Sequence, residues 1–209
     1  MNTLTKTAAV AVLLASSAPA SAEFSANVGF MSDYYFRGVF QKSSSAYGGL
    51  DFEKNGFYAG TWAADVGDGL EVDGYFGYGG EIGDFGYGVG FTGYYYTGDF
   101  DDTYEELNLS ASYAFVTVTY STGQYQNFAD PRADYDHYSI GFEHNGFYGT
   151  YAAFGQDFTG EYVELGYGTT VADIDLGVSL VINDKDLNVF SDTDGDETLI
   201  FTIGKSFGF

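Results

Sequence analysis

The sequence predicts an all-β, transmembrane antiparallel up-and-down β-barrel of about twelve strands. Three observations predict it. Apolar residues recur at every second position along nearly the whole chain, an export leader precedes them, and no helical segment is available to cover the oily face they make. The final strand shows the pattern clearly. Leu199, Phe201, Ile203, Lys205, Phe207 and Phe209 share one face, and between them stand Ile200, Thr202, Gly204, Ser206 and Gly208, mostly small or polar.

The leader has one charge, Lys6, then the short apolar stretch Ala8 to Ala15, then Ala20-Ser21-Ala22 in the A-x-A form of a cleavage site. Residues 1–22 are therefore read as a signal peptide cleaved after Ala22, and 23–209 as one barrel domain. Cysteine is absent, so an exported fold of this kind relies on strand pairing and burial rather than disulfides. With 30 Gly, 20 Tyr and 20 Phe against 2 Pro, the composition suits strands with aromatic girdles and one nearly bare face. The net charge of −23 excludes nonspecific nucleic-acid binding, which needs Lys and Arg for the phosphates. It also disfavours docking on anionic lipid and suits acids presented to water, where they attract cations.

The strands follow in order. Strand one, Phe24 to Gly38, sets Phe24, Ala26, Val28 and Phe30, continued by Tyr34 and Phe36, against Ser25, Asn27 and Gly29, continued by Asp33, Tyr35 and Arg37, and Gln41 to Ser45 reads as a polar loop. Strand two, Ala46 to Lys54, ends at Asn55-Gly56, a tight hairpin turn because Asn-Gly tolerates positive φ. Strand three, Phe57 to Val66, carries Trp62 with no clear facing, and Asp65 to Gly69 reads as a loop. Strand four opposes Leu70, Val72 and Phe76 to Glu71, Asp73 and Tyr75. Strand five opposes Phe85, Tyr87, Val89 and Phe91 to Gly86, Gly88, Gly90 and Thr92.

Strand six sets Leu107, Leu109, Ala111 and Tyr113 against Glu106, Asn108, Ser110 and Ser112, and strand seven sets Val116, Val118 and Tyr120 against Thr117, Thr119 and Ser121. Strand eight places Tyr138, Ile140 and Phe142 opposite His137, Ser139, Gly141 and Glu143. Strand nine, Phe147 to Gly155, follows a second Asn-Gly turn at Asn145-Gly146. Strands ten and eleven oppose Val163, Leu165 and Tyr167 to Glu164 and Gly166, and Leu176, Val178 and Leu180 to Asp175, Gly177 and Ser179. Strands of roughly ten residues cross a bilayer when tilted. Connections alternate between short and long, as expected when short turns lie on the periplasmic side of an outer membrane and longer loops lie outside.

The stretch Asp33-Tyr34-Tyr35-Phe36-Arg37-Gly38-Val39-Phe40-Gln41 resembles the D-Y-x-F-R-G-x-x-Q pattern of the TorF family of porins, departing at Phe40 where Ser or Thr is expected. Gly49-Leu50-Asp51-Phe52 and Asn55-Gly56-Phe57-Tyr58-Ala59-Gly60-Thr61-Trp62 are similar to that family as well. The resemblance implies an outer-membrane location in a Gram-negative bacterium and a pore.

With the small face toward a lumen, Asp51, Glu53, Glu71, Asp73, Glu106, Glu143, Glu164 and Asp175 line it together with one cation, Arg37. Such a wall favours passage of cations and other small solutes. Alternatively the acids are simply solvated, or one braces Arg37 through its planar fork. Asp192, Asp194 and Asp196 alternate around a glycine and make a candidate calcium loop, though without full EF-hand spacing. His137, with Asp136 and Asp134 nearby, is the one place for a rim hydrolase, but no nucleophile motif accompanies it. Trp62, Tyr113 and Phe209 are expected in the interfacial girdles. No other cofactor is implied, and outer-membrane lipid is the expected surrounding. The competing function is a non-conducting barrel that serves as a structural or adhesive surface protein.

Overall fold

The computed structural model describes residues 23–188 and 195–209. They form twelve strands: β1 (Glu23–Phe36), β2 (Val39–Lys54), β3 (Phe57–Gly67), β4 (Gly69–Ile82), β5 (Phe85–Tyr96) and β6 (Tyr104–Tyr113), then β7 (Val116–Tyr125), β8 (Ala133–His144), β9 (Phe147–Gln156), β10 (Glu161–Val171), β11 (Ile174–Asp184) and β12 (Gly195–Gly208). Each pairs antiparallel with its sequence neighbours, and β1 pairs with β12 to close the ring. In the half near the termini, where β1 is registered on β12 and β2 on β3, closure pairs the backbone all round the ring, the condition under which strands persist in hydrocarbon.

The oily parity faces outward. Phe85 and Val89 are each 44% exposed, Leu176 41% and Phe201 56%. Gly86, Gly88 and Gly90 take the other face, where a side chain at Gly86 or Gly88 would meet the Ser112 or Ser110 hydroxyl. The exterior is thus a band of aliphatic and aromatic side chains, and the interior is built of Gly, Ser, Thr, Tyr and acids. Lys205 stands on the outward parity near the chain terminus, its ammonium 5.6 Å from the Phe207 ring, a position from which it can snorkel toward water.

At the end of the barrel that carries residues 23 and 209 the turns are tight. Asn55 and Gly56 have φ of +54° and +82°, and Asn145 and Gly146 have +53° and +82°. Paired positive φ matches the twist of the flanking strands. The opposite, loop end departs from expectation in its first two connections. Gln41 to Ser45 is not a loop but part of β2, and β1 joins β2 through Arg37 and Gly38 alone. Likewise β3 joins β4 through Asp68 alone.

The first hairpin also leaves the wall. β1 is registered on β12 only from Ser25 to Met31, and β2 on β3 only from Tyr47 to Lys54. Beyond those points the two arms stay paired with each other up to Phe36↔Val39, with a register shift between Tyr34 and Tyr35. A bulge of this kind bends a strand. The bent hairpin lies inside the loop half of the barrel and supplies its apolar core. Met31 and Tyr34 pack with Ala64, Val66, Val181 and Ile200, so Tyr34 does not continue the outward oily face, because its arm has left the wall; Val39 packs on Ala152, Tyr162 and Leu187. Burying each large side chain contributes roughly 1.5–3 kcal/mol. Trp62 belongs to this interior and not to a girdle, with ring centroids 5.6 Å from Tyr34 and 5.8 Å from Tyr47. Tyr113 and Phe209 are exposed, at 64% and 80%.

Candidate functional site

The lumen has two unlike halves. In the half near the termini the inward positions are mostly small, and tyrosines lie flat along the wall across inward glycines. Tyr58 covers Gly77 and Gly90, Tyr47 covers Gly29 and Gly204, and Tyr148 covers Gly166. In the loop half the β1–β2 hairpin fills the bore.

The hairpin tip reaches the far wall. Arg37 Nη1 donates to Glu106 Oε2 and Nη2 to Glu106 Oε1, both at 2.8 Å, and Nη2 lies 3.4 Å from Ser121 Oγ. Tyr94 donates to the same Oε1 at 2.8 Å and Tyr135 to Oε2 at 3.0 Å. Each Glu106 oxygen therefore accepts one guanidinium N–H and one phenol. Hydrogen bonds to charged groups contribute about 1.5–3 kcal/mol each when well formed. Next to Arg37, Gly38 has φ +80°, accepts a 2.9 Å bond from Asn183 Nδ2, and lies flat on the Tyr162 ring. A residue with a Cβ would meet that ring at 2.7 Å, and positive φ disfavours it further.

A second carboxylate anchors the arm. Glu71, fully buried, accepts from Tyr34 at 2.6 Å and from Tyr96 at 3.1 Å. Asp73, 8% exposed on the same strand face, has an Oδ1 without a hydrogen-bond partner. Further ties run through side chains of the two arms. Lys42 pairs with Asp65, Ser45 Oγ donates to the Asp65 carbonyl at 2.7 Å, and Tyr35 and Thr198 hydroxyls lie 2.8 Å apart.

A family of bacterial proteins of unknown function, Gcw_chp, matches residues 15–208. The chain belongs to that family. No curated protein matches it. Among solved structures, one from work on the in-meso crystallization of membrane proteins matches at TM-score 0.55 and 10% identity, over 90% of this chain and 84% of its own. Pseudomonas aeruginosa OccK2 (OpdF) matches at TM-score 0.45 and 14% identity, over 86% of this chain and 62% of its own. A BenF-like porin from Pseudomonas fluorescens Pf-5 matches at TM-score 0.40 and 12% identity, over 86% and 59%. The chain spans less than two thirds of either of these last two proteins. Only the first likeness bears on this barrel, and at such identity it bears on fold alone.

In the Gcw_chp barrel the acids named from sequence separate into two groups. Glu71, Asp73 and Glu106 gather around the hairpin and are buried by it rather than facing open water, and Glu106 makes the brace to Arg37 that is the alternative reading of the sequence. Arg37 sits with them, its side chain 11% exposed. The others are spread along the wall. Asp51 accepts from Tyr75 at 2.5 Å, Glu164 from Tyr148 at 3.1 Å, and Asp175 from Thr170 at 2.6 Å. Glu53 is half-buried and Glu143 exposed, both beside the terminal-end turns.

Asp192 and Asp194 lie outside the described residues. Asp196 is the second residue of β12, its backbone N–H bonded to Asn183 Oδ1. The rim His–Asp pair does not form. Neighbouring residues on a strand point to opposite faces, so His137 is inside, 3.5 Å from the Tyr162 hydroxyl, while Asp136 is held on the other face by Tyr120 and Tyr138. Tyr94, Tyr135, Tyr162 and Asn183 were not singled out from sequence. Their inward parity was readable, since Tyr94 continues the series Gly86, Gly88, Gly90, but contacts across a bore leave no mark on one sequence.

Proposed function

We propose that this protein is a porin-like outer-membrane channel for small solutes, cation-preferring, whose bore is stoppered at the loop end by its own first hairpin. The observation that carries this reading is the division of faces around a closed ring. An apolar exterior requires lipid, and a Gly-, Ser- and Thr-rich interior with flattened tyrosines leaves room for water. Asn27 Oδ1, Asp73 Oδ1 and His137 Nδ1, inward polar atoms lacking a protein partner, fit a wet interior. The resemblance to the TorF porins supports the location and the leader, and Asp51, Glu164 and Asp175 along the unobstructed half support cation preference.

The inward hairpin favours a second reading, a barrel closed to solutes whose loops make surface contacts. Planar-bilayer recording of refolded protein separates the two. The channel reading expects discrete conductance steps and, in a salt gradient, a reversal potential on the cation side. Silence under all voltages supports the closed barrel, and a reversal potential on the anion side removes the selectivity.

A further inference from the structure

We propose that Glu106, with the hydroxyls of Tyr94 and Tyr135, is a guanidinium-binding seat that Arg37 fills in the resting barrel, and that a guanidinium-bearing solute takes the place of Arg37 and frees the hairpin. The release of the hairpin rests on the channel reading above; the seat itself does not.

The seat is built for a planar fork. Both Glu106 oxygens lie 2.8 Å from separate guanidinium nitrogens, and the two phenols hold the carboxylate from the remaining sides. An ammonium, a compact point charge, cannot engage both oxygens in this way. The phenols belong to β5 and β8, not to the hairpin that carries Arg37. The Glu106 side chain is 1% exposed, so an empty seat would hold a buried carboxylate without its counter-charge. Asp73 adds an independent sign. It is 8% exposed, within electrostatic reach of Arg37 and Glu106, and its Oδ1 is an acceptor still open to another N–H.

The occupant is also detachable. The hairpin arms are not registered on β12 or β3 beyond Met31 and Tyr47, so tip release breaks no wall ladder. At the tip the holds are the Arg37 fork, the Asn183 bond to the Gly38 carbonyl, the Tyr162 ring, the Tyr35–Thr198 hydroxyl contact, the Phe36–Tyr94 ring contact and the packing of Val39 on Ala152 and Leu187, all of them side-chain or single-bond contacts. A tethered group competes at an effective concentration on the order of millimolar. Free guanidinium solutes must therefore reach that range to displace Arg37, and bind far below it when Arg37 is gone.

The test is calorimetry of arginine amide and lysine amide with the refolded barrel in detergent, folding being checked by heat-modifiable migration. Arg37→Ala should bind arginine amide about tenfold more tightly than lysine amide and than the unaltered protein does, and Arg37→Ala with Glu106→Gln should lose that binding. Equal binding of the two amides, or binding that survives Glu106→Gln, overturns the seat. A second readout keeps the native Arg37. With Val39→Cys in this cysteine-free chain, maleimide labelling should accelerate in millimolar arginine amide and not in lysine amide. Unchanged labelling overturns the displacement. Both readouts are independent of conductance, so a silent barrel that binds arginine amide would refute the channel and leave the seat standing.

Discussion

Arg37, at the tip of the first hairpin, grips Glu106, 69 residues further along the chain, through two parallel hydrogen bonds of 2.8 Å. The pair crosses the bore and fixes the hairpin inside it. Breaking a buried pair by removing one partner costs about 3–5 kcal/mol, because the other charge stays buried. Arg37→Ala should therefore lower the unfolding free energy of the barrel in micelles by that order, read as a lower urea midpoint, and Arg37→Lys should recover less than half, since lysine cannot fork. An unchanged midpoint in Arg37→Ala would mean that the hairpin is not held by this contact.

Gly38 should tolerate no side chain while Tyr162 is present. Gly38→Ala adds about 1–2 kcal/mol of left-handed backbone strain and about 1–3 kcal/mol of overpacking against the ring. In a Tyr162→Ala background only the backbone part should remain. Unfolding midpoints of the four proteins in this cycle measure the difference, and strict additivity would contradict the contact.

The flattened tyrosines of the terminal half lie directly over inward glycines. A Cβ at Gly90 would collide with the Tyr58 hydroxyl and meet its Cζ at 3.3 Å. Gly90→Ala should push that ring off the wall and lower both stability and conductance. Gly90→Ala with Tyr58→Phe, which removes the colliding oxygen, should restore most of both. Conductance steps and thermal midpoints of single and double variants check this, and failure of the phenylalanine to rescue would sink it.

The wall was legible because each strand buries or exposes on a period of two and because Asn55-Gly56 and Asn145-Gly146 mark their own turns. The hairpin was not. Gln41-Lys42-Ser43-Ser44-Ser45 has no oily alternation, since an arm lying inside a lumen has no lipid on either face, so it reads as a loop. Trp62 reads as a girdle residue for a related reason. On β3 both parities carry apolar residues, Phe57 and Ala59 on one and Trp62 and Val66 on the other. Only the packing of Trp62 with Tyr34 and Tyr47 decides its side. Arg37 was recognisable as the one inward cation, but its choice of Glu106 over Glu71 or Asp73 depends on strand geometry around the whole ring.

The central claim is that lipid touches the odd-numbered face of β5, β6 and β12 and water the even-numbered one. Because the chain has no cysteine, single cysteines at Val89, Leu109 and Phe201, and at Gly88, Ser110 and Thr202, can each carry a polarity-sensitive fluorophore in vesicles doped with a lipid-borne quencher. Quenching and blue-shifted emission are expected at Val89, Leu109 and Phe201, and water-like, unquenched emission at Gly88, Ser110 and Thr202. The reverse pattern, or no difference between the two sets, would contradict it.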